Sequence, residues 1–144
     1  MEIDGACHCG EVSFTALIDP DKVMVCHCND CQVLSGAPMR AVVPVMLQDM
    51  TLHGEPKRYI KTAQSGNKRA QVFCGDCGTP LFATAAEAAT SVILRLGCVR
   101  QRHQLPPQLH IWHDEAMPWN RDTQGVPTSP NQSGFLAPAL APRE

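Results

Sequence analysis

Eight cysteines fall into three tight groups and one isolated position, and this spacing constrains the fold more than any other feature of the chain. The groups are Cys7-His8-Cys9, Cys26-His27-Cys28-Asn29-Asp30-Cys31 and Cys74-Gly75-Asp76-Cys77, with Cys98 alone. A CxxC turn followed by glycine, as at Gly78, lets two sulfurs converge on one ion while the glycine takes the tight backbone conformation. Cys7 and Cys9 make a second half, because residues two apart in an extended segment point to one face and Gly10 can turn the chain. Joined, Cys7, Cys9, Cys74 and Cys77 form a four-thiolate set that saturates a tetrahedral zinc ion and serves folding. The middle group offers three thiolates, Cys26, Cys28 and Cys31. It is one ligand short unless His27, Cys98 or a downstream histidine closes it. An open position would accept water or an incoming thiolate and lower that thiol's pKa. The expectation is two Zn2+ per chain, one in a closed site and one in an open site.

Compartment decides whether those sulfurs are thiols. The chain begins Met1-Glu2-Ile3-Asp4, acidic and without an apolar run, so the sequence predicts neither a secretory signal nor a membrane segment, and a cytoplasmic location. In a reducing compartment clustered cysteines are metal ligands or catalytic groups before they are disulfides. The Cys74/Cys77 pair also lacks the βαβ setting of a redox CxxC. A formal net charge of −2, with mixed signs and no basic run, argues against a nucleic-acid partner.

The 144 residues suit one compact domain. Apolar alternation at Val12, Phe14 and Ala16 and at Met39, Ala41, Val43 and Val45 predicts strands, as does the run Val92-Ile93-Leu94. Further short strands are expected over residues 58–61, 69–73, 80–82 and 108–112, separated by turn residues, which makes the domain mainly β. A helical turn is expected around residues 32–34; the alanine-rich residues 83–89 are a second, weaker helix candidate that could equally be a loop, having no large apolar side chains to pack. The boundary is set at residue 124: residues 1–124 form the zinc-binding domain and 125–144 a Pro/Ala-rich tail. Phe135 and Leu136 could dock on the domain or on a second copy in a homodimer, although an extended tail is the simpler expectation.

Three other positions invite roles. Cys98 reads as a small apolar residue beside a strand, with a fourth ligand as its alternative. His27, flanked by two ligands, could handle a proton or orient a neighbour. His110 and Trp112 are expected on one face of a strand, packed in the core or touching substrate.

The order CxC, CHCxxC, FCGxCGTPL, HIW and a following PW resembles the glutathione-dependent formaldehyde-activating enzyme family, which includes centromere protein V. The resemblance is carried by residues 5–10, by Cys26 to Cys31 with Ser35-Gly36-Ala37, by Phe73 to Leu81, and by His110-Ile111-Trp112 through Pro118-Trp119. It implies a β-tent fold of short antiparallel sheets, a structural zinc on Cys7, Cys9, Cys74 and Cys77, and a second zinc on Cys26, Cys28 and Cys31. It further implies a carbon–sulfur lyase in which glutathione, or a similar thiol, adds to formaldehyde to give S-hydroxymethylglutathione. The chain departs from many relatives at Cys98-Val99-Arg100-Gln101-Arg102-His103, a basic loop that could attract substrate carboxylates but reads more simply as a solvated turn. A non-catalytic thiol carrier and a structural zinc interaction module are the competing functions.

Overall fold

The computed structural model describes residues 1–63 and 65–131. Phe135 and Leu136, and with them the docking expected of the tail, lie outside the described residues. Among the described residues there are ten strands and one α-helix. The first hairpin pairs β1 (Glu2–Ala6) with β2 (Ser13–Leu17), and β5 (Met50–His53) joins β2 to complete a three-stranded antiparallel sheet. The larger sheet contains β3 (Met24–Cys26), β4 (Arg40–Met46), β6 (Lys57–Thr62), β7 (Lys68–Phe73), β8 (Pro80–Ala85), β9 (Ser91–Arg95) and β10 (Leu109–Ile111), in the order β10-β3-β4-β9-β8-β7-β6. The helix α1 (Asn29–Ser35) follows β3.

The expected mainly β architecture is present, with one parallel pair, β10 on β3, within otherwise antiparallel sheets. A parallel neighbour requires a crossover, and the chain between β9 and β10 supplies one through two 3-10 turns, Leu96–Cys98 and Arg100–Gln104. Residues 83–89 are not helical: β8 runs on to Ala85, so the alanines begin in a strand and end in a turn.

Strand alternation explains the core. Phe14 and Ala16 from β2, Val43 and Val45 from β4, Val92 and Leu94 from β9, and Val72 from β7 all point into one apolar cluster, joined by Ile3 and Leu81. Burying each large side chain of this kind contributes about 1.5–3 kcal/mol before entropy is charged against it. The opposite face of the same strands carries Met24, Cys26, Arg40, Val42, Ile93, Arg95, Ala83 and Gln71, since opposed residues in the register share a face. One sheet therefore covers the core with one side and floors a cleft with the other.

Candidate metal centres and the cleft beside them

Two loops of the same form build the four-cysteine group. After β1, the Cys7 N–H donates to Val12 O at 2.8 Å; after β7, the Cys74 N–H donates to Thr79 O at 3.0 Å. Each loop turns on a glycine with positive φ, Gly10 at 89° and Gly78 at 73°, a conformation costly for any residue with a Cβ. Thr79 ties the loops together: its hydroxyl accepts from the His8 N–H at 3.0 Å and meets Cys77 Sγ at 3.1 Å.

The sulfurs converge. Cys7 Sγ lies 3.5 Å from Cys9 Sγ, and Cys9 Sγ lies 3.7 Å from Cys74 Sγ. All four ligand atoms are within 4.8 Å of one another. Tetrahedral zinc with bonds of about 2.3 Å places its thiolates about 3.8 Å apart, so this group has the dimensions to hold such an ion. Its proton affinities are in conflict: the Thr79 hydroxyl and N–H pull Cys77 down to about 5. The Glu11 N–H favours the Cys9 thiolate, yet donation of the Cys9 proton to the Cys7 sulfur, burial and the other two sulfurs outweigh it and push Cys9 up to about 12. A divalent cation removes that conflict, because all four can then ionise together.

The second group grows from a strand end and a helix start. Cys26 closes β3, and Cys28 is the N-cap of α1, its sulfur accepting from the Cys31 N–H at 3.4 Å. The first helical turn then brings Cys31 back beside Cys28. Cys26 and Cys28 sulfurs are 3.4 Å apart, and the three ligand atoms fall within 4.8 Å of one another. No fourth His, Cys, Asp or Glu joins this group among the described residues. The Cys26 thiol donates to Cys31 and, against the cost of burial, the charges of Arg95 and Arg40 help to pull Cys31 down to about 6.

His27 belongs to a different contact. Its Nε2 lies 2.9 Å from His110 Nδ1 and the two rings stack at 5.2 Å, with His113 edge-on to both. The expectation that His110 and Trp112 share a strand face fails, because β10 ends at Ile111 and Trp112 turns into the left-handed region at φ 56°. Trp112 is exposed, so core packing fails as well. Cys98 joins neither sulfur group; it packs against the core with its Sγ donating to Arg95 O at 2.9 Å. The basic loop is tied to β1 and to itself: Arg100 pairs with Asp4, which also accepts from Gln101 at 2.7 Å, and Arg102 donates to Val99 O.

Beside the three-sulfur group opens a cleft of about 1160 Å³, lined by all three cysteines. Ala83, Ala85 and Ile93 form much of its floor, and the small alanines leave it deep. One wall is Trp112 and Glu115, and Glu115 also braces α1: its Oε2 accepts from the Asn29 N–H at 2.7 Å, and Gln32 donates to Glu115 O at 3.0 Å and to His27 O at 2.6 Å. The other wall is the β6–β7 hairpin, tied to α1 by the Lys61–Asp30 ion pair. Arg40 and Arg95, buried near the sulfurs, form no part of the cysteine pattern. Their signal in the sequence is an arginine inside an otherwise apolar strand, Met39-Arg40-Ala41-Val42 and Ile93-Leu94-Arg95-Leu96.

Comparison with known proteins adds a family. The model of the glutathione-dependent formaldehyde-activating enzyme family matches residues 2–115, a span that holds all seven clustered cysteines. The chain belongs to this family. The chain is also similar to an uncharacterized lyase of Schizosaccharomyces pombe, 26% identical over 81 residues that make up 56% of this chain and 56% of that protein. The chain therefore spans a little over half the length of that relative in the match. A crystal structure of a Rhodobacter sphaeroides protein shares the fold at a TM-score of 0.57 and 15% identity, covering 74% of this chain and 98% of that one.

Proposed function

We propose that the chain is a zinc-dependent carbon–sulfur lyase-type enzyme that binds glutathione or a similar thiol and adds it to a small aldehyde such as formaldehyde. In this reading Cys7, Cys9, Cys74 and Cys77 hold a structural zinc, and Cys26, Cys28 and Cys31 hold a second zinc with one position left for substrate. The observation that carries it is a three-sulfur group, without a fourth protein ligand among the described residues, lining a cleft large enough for a tripeptide. The family and the lyase relative support the same class of reaction.

Zinc bound there would supply a Lewis acid that keeps the substrate thiol ionised at neutral pH. The chain's own residues do the rest. Cys26, Cys28 and Cys31 fix where the thiol sits, and α1, braced by Glu115 and Gln32, fixes the cysteines. Trp112 offers an aromatic face over the cleft for the peptide portion of the thiol. In the addition the carbon–sulfur bond forms, the carbonyl π bond breaks, and the thiol proton ends on the new hydroxyl.

A non-catalytic carrier is the second reading, favoured by the engagement of two cleft carboxylates: Asp30 pairs with Lys61, and Glu115 accepts from Asn29. Zinc-loaded protein mixed with glutathione and formaldehyde separates the two. Adduct formation followed by NMR is expected to exceed the uncatalysed rate, and Cys28→Ser to abolish the excess. Rates equal to the background with both proteins would overturn the enzyme, and zinc-dependent binding of glutathione in calorimetry would then separate the carrier from a structural module.

No helix among the described residues is long and apolar enough to cross a membrane. The domain boundary at residue 124 remains part of this proposal; residues 125–131 are exposed, and both sulfur groups and the cleft lie before them.

A further inference from the structure

The strands that floor the cleft place two arginines beside the three-sulfur group. Arg40 stands opposite Cys26 in the β3–β4 register, and Arg95 stands opposite Val42 in the β4–β9 register. Opposed residues, and residues two apart on one strand, share a face, so both arginines rise from the cleft side of the sheet. Each is only 7% exposed. Arg95 also lines the cleft, and its Nη2 donates to Gln71 Oε1 at 2.9 Å. Arg95 Nε and Arg40 Nη2 are buried without a hydrogen-bond partner. Among the described residues neither arginine forms an ion pair with a carboxylate.

A buried guanidinium normally has a carboxylate, because losing hydration without a partner costs several kcal/mol. Here two lie close enough to repel: burial first, and then the charge of Arg40, push Arg95 down to about 10. The cysteine thiolates offset part of the charge. They do not account for directional N–H donors left unfilled, since attraction to sulfur at a distance needs only charge. Those two atoms are closed off from the cleft, so an anion there meets the part of the Arg95 guanidinium that lines it, and a planar anion suits that group.

We infer that Arg95, with Arg40 packed behind it, forms a carboxylate subsite next to Cys26, Cys28 and Cys31, and that the electrophile served there is a small aldehyde bearing a carboxylate on the carbon next to the carbonyl. The choice of the electrophile over the thiol follows from position. Arg95 lines the cleft together with all three cysteines and its charge reaches Cys31, whereas the carboxylates of a glutathione-like tripeptide lie several bonds from its sulfur and would extend away along the cleft. This inference rests on the thiol-addition reading. The step balances without a further reactant: sulfur bonds to the aldehyde carbon, the carbonyl π bond opens, the thiol proton moves to the new hydroxyl, and the carboxylate is unchanged.

The test uses the zinc-loaded full chain and two measurements. Calorimetry with glycolate, an unreactive hydroxy acid, is compared with ethylene glycol, its neutral counterpart; glycolate is expected to bind at least tenfold more tightly. Arg95→Met should remove that preference, and Arg95→Lys should restore only part of it. Rates with glutathione are then taken with glyoxylate and with formaldehyde, and the ratio of their kcat/KM values is expected to fall at least tenfold in Arg95→Met. Equal binding of glycolate and ethylene glycol by the unsubstituted protein, a result independent of any variant's folding, overturns the subsite. Acceleration of the formaldehyde reaction together with that result leaves the thiol-addition reading standing. Arginine-dependent glycolate binding with neither aldehyde accelerated does the reverse: it keeps the subsite and overturns the reaction assigned to it.

Discussion

Replacing Gly5 by alanine would place a methyl group 2.3 Å from Cys98 O and 2.4 Å from Phe14 Cζ. Both are about an ångström inside van der Waals contact, and neither neighbour can yield. Phe14 is a core side chain 2% exposed, and the Cys98 carbonyl belongs to backbone held by the Gly5–Val99 bridge and by the Val99 N–H to Leu96 O bond. Overpacking of this kind costs about 1–3 kcal/mol, and a clash with two fixed groups belongs at the upper end, about 3 kcal/mol. For a chain of this length that lowers Tm by about 10 °C. The strain falls on β1, which delivers Cys7, so the four-cysteine centre should lose metal to a chelator sooner than the three-cysteine centre. Gly97→Ala is the control: nothing lies within 4 Å of its added methyl, and its effect should stay within about 0.5 kcal/mol. Thermal unfolding of the zinc-loaded proteins, with chelator release followed by a metallochromic dye, checks both. A Gly5→Ala Tm equal to that of the parent would refute the close approach of β1 to the Leu96–Cys98 turn.

Two further outcomes follow from the sulfur chemistry. Thr79→Val removes the hydroxyl that meets Cys77 Sγ and accepts from His8, and metal affinity at the four-cysteine centre should fall about tenfold. Because Thr79 holds Cys77 down at about 5, its loss means the thiolate needs a higher pH to form, so the pH of half release on acidification should rise; an unchanged or lower midpoint would count against this role. Cys98 is pushed up to about 11 by burial and donates its proton to Arg95 O, so at pH 8 iodoacetamide should label it slowly in the metal-loaded protein. All eight cysteines should react after chelation and denaturation; peptide mass spectrometry that finds Cys98 labelled as fast as a free thiol would contradict its packing.

Legibility followed distance along the chain. The strand over residues 69–73 matches β7 to within a residue, and the helical turn near residues 32–34 is α1, lengthened to Asn29 because Cys28 caps it. The strands that escaped notice are short or sparsely apolar. In β1 only Ile3 is a large apolar residue, and β3 has three residues. The pairing of His27 with His110 joins residues 83 apart, and no local pattern announces it.

By itself the sequence determined the mainly β character and the local cysteine clusters, while the fold brought Cys7 and Cys9 to Cys74 and Cys77 across a separation of 65 residues. Ligands two or three residues apart are held by the local geometry of a turn or a helix start, and that geometry is the same wherever such a spacing occurs. Tertiary structure decided what surrounds the sulfurs: the cleft, the wall at Trp112, the diversion of the Arg100–Arg102 loop to Asp4, and the approach of Arg40 and Arg95 to Cys26 and Cys31. Those neighbours come from strands whose register is set by burying Val43, Val45, Val92 and Leu94 on the other face of the same sheet. The core fixed that register, and the chemistry of the cleft came with it.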